Sequence, residues 1–212
     1  MVNQKRVNEI INEIKPATLV AATKYASIED LYELEKVGVT IFGENQVQSL
    51  LEKYKNYNGK SKFHMIGTLQ TNKVKYIIDK VNLIHSVANY RLIDEIDKQS
   101  KKHNKNMDIL IQVNIAKEDS KHGFLEEELD DVFEYLKNKS NLNPRGLMIM
   151  APNIDPEKTD IYFKKAKELL NTLKNKFSNY NLTDLSMGMS NDYQYAIKNG
   201  ATLVRVGSLL FE

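Results

Sequence analysis

Thr18-Leu19-Val20-Ala21-Ala22-Thr23-Lys24 is an apolar run of strand length that ends in a lysine instead of a turn. The apolar positions that follow, Ile28 to Val37, recur at helical spacing, so Lys24 falls where a buried strand gives way to a βα loop. A lysine at that point has two readings. It can snorkel, leaving its stem on the strand end and its ammonium in water. Held in a partly desolvated pocket, it loses its charge more readily and becomes an amine nucleophile toward an aldehyde or ketone.

Working outward, the strand-then-helix pattern repeats. Val7, Ile10, Ile11 and Ile14 stand at helical spacing over residues 2–14, and Pro16 closes that helix. The strand at 17–23 leads to a helix from about Ser27, whose hydroxyl can cap it with Asp30 three places on. Further strands are expected at 39–42, 63–66, 83–87, 109–115, 145–150, 185–187 and 202–206. The expected helices end at Tyr54, or span 72–78, 90–102, 126–136, 157–177 and 193–198. The loop before 126–136 carries Lys121-His122-Gly123. Eight alternations with short connections predict parallel βαβ units closed into a (β/α)8 TIM barrel, preceded by an N-terminal helix. Residues 1–212 are expected to form one domain, with no internal repeat beyond the βα period.

Composition excludes several classes. The chain has no cysteine, so disulfides and thiolate chemistry are out, and its net charge of +2 is too small to argue for nucleic acid. Lysines stand among acids, as in Lys164-Lys165-Ala166-Lys167-Glu168, which reads as a solvated helix face. No stretch has signal-peptide or membrane-spanning character, so a cytoplasmic protein is expected. Glycine-rich nucleotide loops are missing, and the four histidines lack the helical spacing of a zinc site. Of only four arginines, Arg205 is the one inside an apolar run, Leu203-Val204-Arg205-Val206.

In a parallel barrel every strand ends at the same mouth, where such folds build their sites. The expected strand ends carry Lys24, Asn45, His64 with Gly67, His85 with Ser86, Asn114, Met150, Ser190 with Asn191, and Arg205 with Gly207 and Ser208. Ser190 can cap the seventh helix, while Gly207-Ser208 offers backbone N–H groups and a hydroxyl where barrels of this kind hold phosphate. Arg205 needs an acceptor, either a salt-bridge partner or a ligand's ring nitrogen or phosphate. A reactive lysine on strand one, a phosphate cup after strands seven and eight, and a buried cation between them suit pyridoxal 5′-phosphate (PLP). His64 and His85, at strand ends, could touch a ligand, but structural hydrogen bonding is the role expected of both.

The segments Ala22-Thr23-Lys24, Phe42-Gly43-Glu44-Asn45-Gln46-Val47-Gln48, Phe63-His64-Met65-Ile66-Gly67-Thr68-Leu69-Gln70-Thr71-Asn72-Lys73, Gln112-Val113-Asn114-Ile115, Arg145-Gly146-Leu147-Met148, Leu185-Ser186-Met187-Gly188-Met189-Ser190-Asn191-Asp192 and Val204-Arg205-Val206-Gly207-Ser208 run in order across the chain. In them the sequence resembles the pyridoxal phosphate homeostasis proteins, barrels related to the N-terminal domain of alanine racemase. The resemblance implies Lys24 as the Schiff-base lysine and Asn45 beside the cofactor ring. It also implies Arg205 at the pyridine nitrogen, with Ser190, Gly207 and Ser208 on the phosphate. Ser208 stands where the family often has threonine, which keeps the hydroxyl. The chain stops at Phe211-Glu212, before the glycine and arginine usual in the family, so the final helix is expected to be short or absent.

An arginine opposite the pyridine nitrogen leaves the ring a weak electron sink, and racemisation needs a base on each face of the substrate carbon. Lys24 could supply one; the sequence names no clear second, although any of the eleven tyrosines could serve. The expectation is therefore a PLP-binding protein of intracellular vitamin B6 homeostasis with no robust catalysis. It would be a monomer, with PLP-dependent apo-enzymes as recipients of the cofactor. The alternative is a PLP-dependent amino-acid racemase of low activity. A third reading, an aldolase-type barrel in which Lys24 attacks a sugar phosphate, would bind no chromophore.

Overall fold

Side chains alternate across a strand, so a barrel sorts each strand's residues into an inner and an outer set. A computed structural model of the chain describes residues 1–118 and 122–211, which leaves the Lys121 of the fifth loop outside the described residues. The strands are β1 (Thr18–Ala22), β2 (Ile41–Glu44), β3 (Lys62–Met65), β4 (Leu83–Val87), β5 (Met107–Val113), β6 (Leu142–Ile149), β7 (Asp184–Ser186) and β8 (Leu203–Val206). They run parallel and close in sequence order, as the alternating pattern predicts, with β8 pairing back on β1 from Thr18↔Leu203 to Ala21↔Val206. The helices are α1 (Gln4–Glu13), α2 (Ile28–Lys36), α3 (Val47–Asn56), α4 (Val74–Ile77), α5 (Tyr90–Lys102), α6 (Leu129–Leu136), α7 (Asp160–Lys176) and α8 (Tyr193–Lys198).

Two cores result. Val20, Ile66, Leu83, Leu110, Met148 and Leu203 fill the barrel, while Leu19, Phe42, Met65, Ile84, Ile109 and Val204 belong to the larger core against the helices. On β1 this alternation places Val20 and Ala22 inside, turns the buried Thr23 toward the helices and gives Lys24 the inner direction. On β8 it places Arg205 on the inner face with Leu203, and Val204 and Val206 outside.

Local chemistry moves several boundaries. The capping box of Ser27 and Asp30 forms as expected at the head of α2. Val39 still donates its N–H to Leu34 O at 3.0 Å, closing α2, so β2 starts at Ile41 instead of 39. Strand β5 stops at Val113 because the Asn114 side chain turns the chain by bonding both the N–H and the C=O of Glu118. Three helices that read as continuous open on 3-10 turns, at Thr71–Lys73, Glu126–Glu128 and Pro156–Thr159. Among the described residues the short turn Ser208–Leu210 follows β8, and it is tied to the N-terminal segment by the Asn3 N–H to Leu210 O at 2.9 Å and the bridge of Val2 with Phe211.

The barrel interior also carries a polar chain. His64 Nδ1 lies 3.0 Å from His85 Nε2, and His85 Nδ1 lies 2.9 Å from Ser186 Oγ. Arg205 donates to the same Ser186 Oγ at 2.6 Å and to Ile149 O at 2.9 Å. Because a guanidinium only donates, the serine's own hydrogen is left for His85 Nδ1. The proton of His85 then sits on Nε2 and points at His64 Nδ1. Every dipole in the chain turns its negative end toward the cation, which is how the interior tolerates a charge there.

Burial, and then the nearby Lys62 charge, push the His64 pKa down to about 3. Burial, helped by His64 and Arg205, holds His85 well below the ordinary value. Both rings stay neutral in the folded protein but take up protons once unfolded. Stability therefore falls as pH drops below the ordinary histidine value of 6.5. The depressed carboxylates Glu13 and Glu35 add their own loss only below 4.5, while the raised Asp192 carboxyl acts in the opposite sense as pH falls. Within the window from 6.5 to 4.5, the difference between wild type and a histidine variant therefore isolates the histidine. Urea unfolding measured through that window should show a contribution to the slope approaching about 1.4 kcal/mol per pH unit for each histidine. Replacing His64 by Gln should remove about half of that contribution.

Candidate functional site

At the C-terminal mouth of the barrel lies a cavity of about 600 Å³. All six residues that the sequence marks out, Lys24, Asn45, Ser190, Arg205, Gly207 and Ser208, line it. Met150 joins them, whereas the strand-end residues His64, His85, Asn114 and Asn191 do not. The two histidines are occupied inside the barrel, and Asn114 is occupied by its own loop.

Each side chain arrives by a separate constraint. Lys24 follows the inner parity of β1 into the mouth, where its Nζ lies 4.7 Å from the centre of the Tyr25 ring. Asn45 is set by the loop after β2, which touches the loop after β3 backbone to backbone. A side chain at Gly67 would run into the Asn45 carbonyl, so only glycine allows that approach. Gly188, at φ +87°, turns the chain out of β7, and a Cβ there would meet Ala196 at 2.5 Å.

The loop after β7 departs from expectation in one respect. Ser190 does not cap α8, which begins only at Tyr193 after Asp192. Asp192 folds back and accepts the Met189 N–H at 2.6 Å, and this turn frees the Ser190 hydroxyl to accept the Gly207 N–H at 3.3 Å. That bond sews the loops after β7 and β8 together. The mouth thus gains two serine hydroxyls beside the head of the Ser208–Leu210 turn, whose leading amides have no acceptor within the turn.

The electrostatics favour an electron-rich guest. Arg205, 5% exposed, carries the guanidinium charge at the floor of the cavity. Burial lowers its pKa to about 10, opposed by Asp192, so it remains a cation at neutral pH. Burial raises the Asp192 carboxyl, against the Met189 N–H and Arg205, which pull it down. Ala22, Ile66, Met150 and Met189 supply apolar walls. The arrangement offers an amine, a fixed cation and a cluster of hydroxyl and amide donors around a space large enough for a planar, phosphorylated ring.

Tyr25, Asp30 and Met189 also line the cavity and were not singled out in the sequence. Tyr25 directly follows the lysine, and its 89% exposure leaves no burial signal to find it by. Asp30 is legible only as a cap for α2, a role it does fill.

Residues 3–212 match the family described as alanine racemase, N-terminal domain. The pyridoxal phosphate homeostasis protein of Aquifex aeolicus is 43% identical over 197 residues, covering 92% of this chain and 86% of its own. That of Synechocystis is 35% identical over 209 residues, covering 96% and 95%. Among solved structures, PipY of Synechococcus elongatus, described with PLP bound, superposes with a TM-score of 0.91 at 28% identity over 99% of both chains. On this agreement of sequence and fold, the chain belongs to the alanine racemase N-terminal domain family and, within it, to the pyridoxal phosphate homeostasis proteins.

Proposed function

We propose that this protein binds pyridoxal 5′-phosphate and acts in its homeostasis, with the cofactor held on Lys24. The observation that carries the reading is the convergence of Lys24, Arg205 and the Ser190, Gly207, Ser208 cluster on one cavity. The residues fit the group. Two hydroxyls and turn amides suit a phosphate, a buried guanidinium suits a ring nitrogen that accepts, and an inward lysine suits an aldehyde. When bound, the group supplies an electrophilic aldehyde carbon and an electron-withdrawing ring.

The chain's own residues explain binding better than turnover. Arg205, fixed between Ser186 and Ile149, has no proton to give to a ring nitrogen at neutral pH and stays a donor. That limits the ring as an electron sink. Lys24 is the basic group at hand on the inner side. Asn45 orients the ring edge, and the sewn loops after β7 and β8 hold the phosphate. The names of the curated relatives speak for a role in supply instead of catalysis. The same reading takes the chain as a single domain of residues 1–212 that works as a cytoplasmic monomer. It passes cofactor to PLP-dependent apo-enzymes. Among the described residues no helix is long and apolar enough to cross a membrane.

The decisive measurement is the visible spectrum of purified protein mixed with PLP, before and after borohydride, followed by peptide mass mapping. A yellow band and a reduced pyridoxyl mass on Lys24 are expected, both lost in Lys24→Ala. A protein that stays colourless overturns the reading and returns attention to a carbonyl substrate attacked directly. The racemase reading rests on Tyr25 lying against Lys24 at the mouth, as a second proton carrier. Alanine deuterated at its α carbon, incubated with PLP-loaded protein, should keep its label. Washout accompanied by formation of the opposite enantiomer, both abolished by Tyr25→Phe, would establish that alternative.

A further inference from the structure

Among the described residues, Lys53 and Glu44 form the ion pair in which both side chains are buried, at 8% and 0% exposure. The pair lies between the barrel and α3, outside the cavity. Lys53 Nζ meets Glu44 Oε1 at 2.7 Å. The same oxygen accepts the Thr23 hydroxyl at 2.5 Å, and Glu44 Oε2 accepts Ser49 Oγ at 2.8 Å. Lys53 also donates to the Thr23 carbonyl, and the Thr23 N–H donates to Gly43 O at 3.0 Å. Amide, hydroxyl and carbonyl of a single residue are therefore all held, and that residue immediately precedes Lys24.

Stability alone does not explain this placement. Withdrawing two ions from water costs more than burying apolar groups of the same volume, and such pairs are often replaced by apolar residues without loss. What the pair does supply is a fixed direction. The Thr23 carbonyl belongs to the peptide plane that carries the Lys24 N–H. It accepts the Ala26 N–H at 2.9 Å from its own turn, and the Lys53 ammonium bound to the same oxygen adds a second hold on that plane from the helix side. Alternation then turns Lys24 into the mouth. The outer side of the strand end is clamped where the inner side must present an amine.

We propose that Glu44 and Lys53 are positioning residues for Lys24, locking the Thr23–Lys24 peptide so that Nζ reaches the ligand aldehyde at a set depth. The inference rests on the cofactor reading above. It concerns the lysine only and leaves the phosphate and ring contacts untouched, so two related ligands separate its effects. PLP needs a placed amine. Pyridoxine 5′-phosphate, with a hydroxymethyl group in place of the aldehyde, does not.

The test compares wild type with Lys53→Met, Lys53→Arg and Ser49→Ala, each shown to be folded by urea unfolding. It reads PLP capture by absorbance, the circular dichroism of the visible band, and the site of borohydride labelling. Lys53→Met should weaken capture on Lys24 about tenfold, since small misplacements of a reacting group carry penalties of that order. It should also diminish the visible dichroism, while pyridoxine 5′-phosphate binds as to wild type. Lys53→Arg should recover part of the capture. Should Lys53→Met fail to fold, Ser49→Ala carries the test, with an expected loss of up to about fivefold for one donor removed. Capture equal to wild type in the folded variants would overturn the proposal, as would a parallel loss of both ligands, the mark of a general structural role. Wild type that binds pyridoxine 5′-phosphate but leaves Lys24 unlabelled by PLP would overturn the cofactor reading itself, and this inference with it.

Discussion

The seam between β1 and β8 is the constraint on which the rest of this structure depends. Four consecutive residue pairs, from Thr18↔Leu203 to Ala21↔Val206, join the second element of the chain to the last strand. They set Val20 opposite Arg205, so the lysine at the end of β1 and the arginine of β8 open into the same mouth. Parallel closure also fixes the parity of both strands, which decides that Lys24 and Arg205 face inward while Thr23 and Val204 face the helices.

Around that seam the protein handles buried charge in two ways. On the inside, Arg205 has no carboxylate in direct contact among the described residues, and its charge is balanced by aligned dipoles through Ser186 to His85 and His64, with the more distant Asp192 opposing its loss. Such an arrangement leaves the cation available to a guest at the mouth, which a tight salt bridge would not. On the outside, Glu44 and Lys53 neutralise one another and spend their remaining hydrogen bonds on Thr23 and Ser49. One network leaves a charge usable; the other immobilises a backbone.

Much of the site was legible in the sequence because its residues break local patterns. A lysine closing an apolar run, an arginine inside one, and a Gly-Ser pair after the last strand all stand out at the positions where barrel strands end. The eight strands were legible too, through alternating apolar runs and turns. The boundaries were less so, because they depend on single hydrogen bonds. Val39 reads as strand by composition, yet its N–H still closes α2, and the Asn114 side chain ends β5 two residues early. Ser190 reads as a cap, but Asp192 takes up the Met189 amide and moves the helix start beyond it. Glu44 and Lys53 gave no signal, since a Glu and a Lys nine positions apart are ordinary in a charged sequence.

By itself the sequence determined the barrel, the order of its strands and which residues stand at their ends, because periodicity and turn chemistry are local properties of the chain. It also determined the family, through motifs spread from Ala22 to Ser208. Only the tertiary structure decided what those residues meet. The histidine chain leading to Arg205 crosses the barrel from β4 to β7 and needs its closure, while the Ser190 hydroxyl on the Gly207 amide and the clamp on Thr23 join neighbouring strand units. Contacts of that kind depend on the register between strands and on the inward or outward sense of each side chain, and neither exists until the strands have paired.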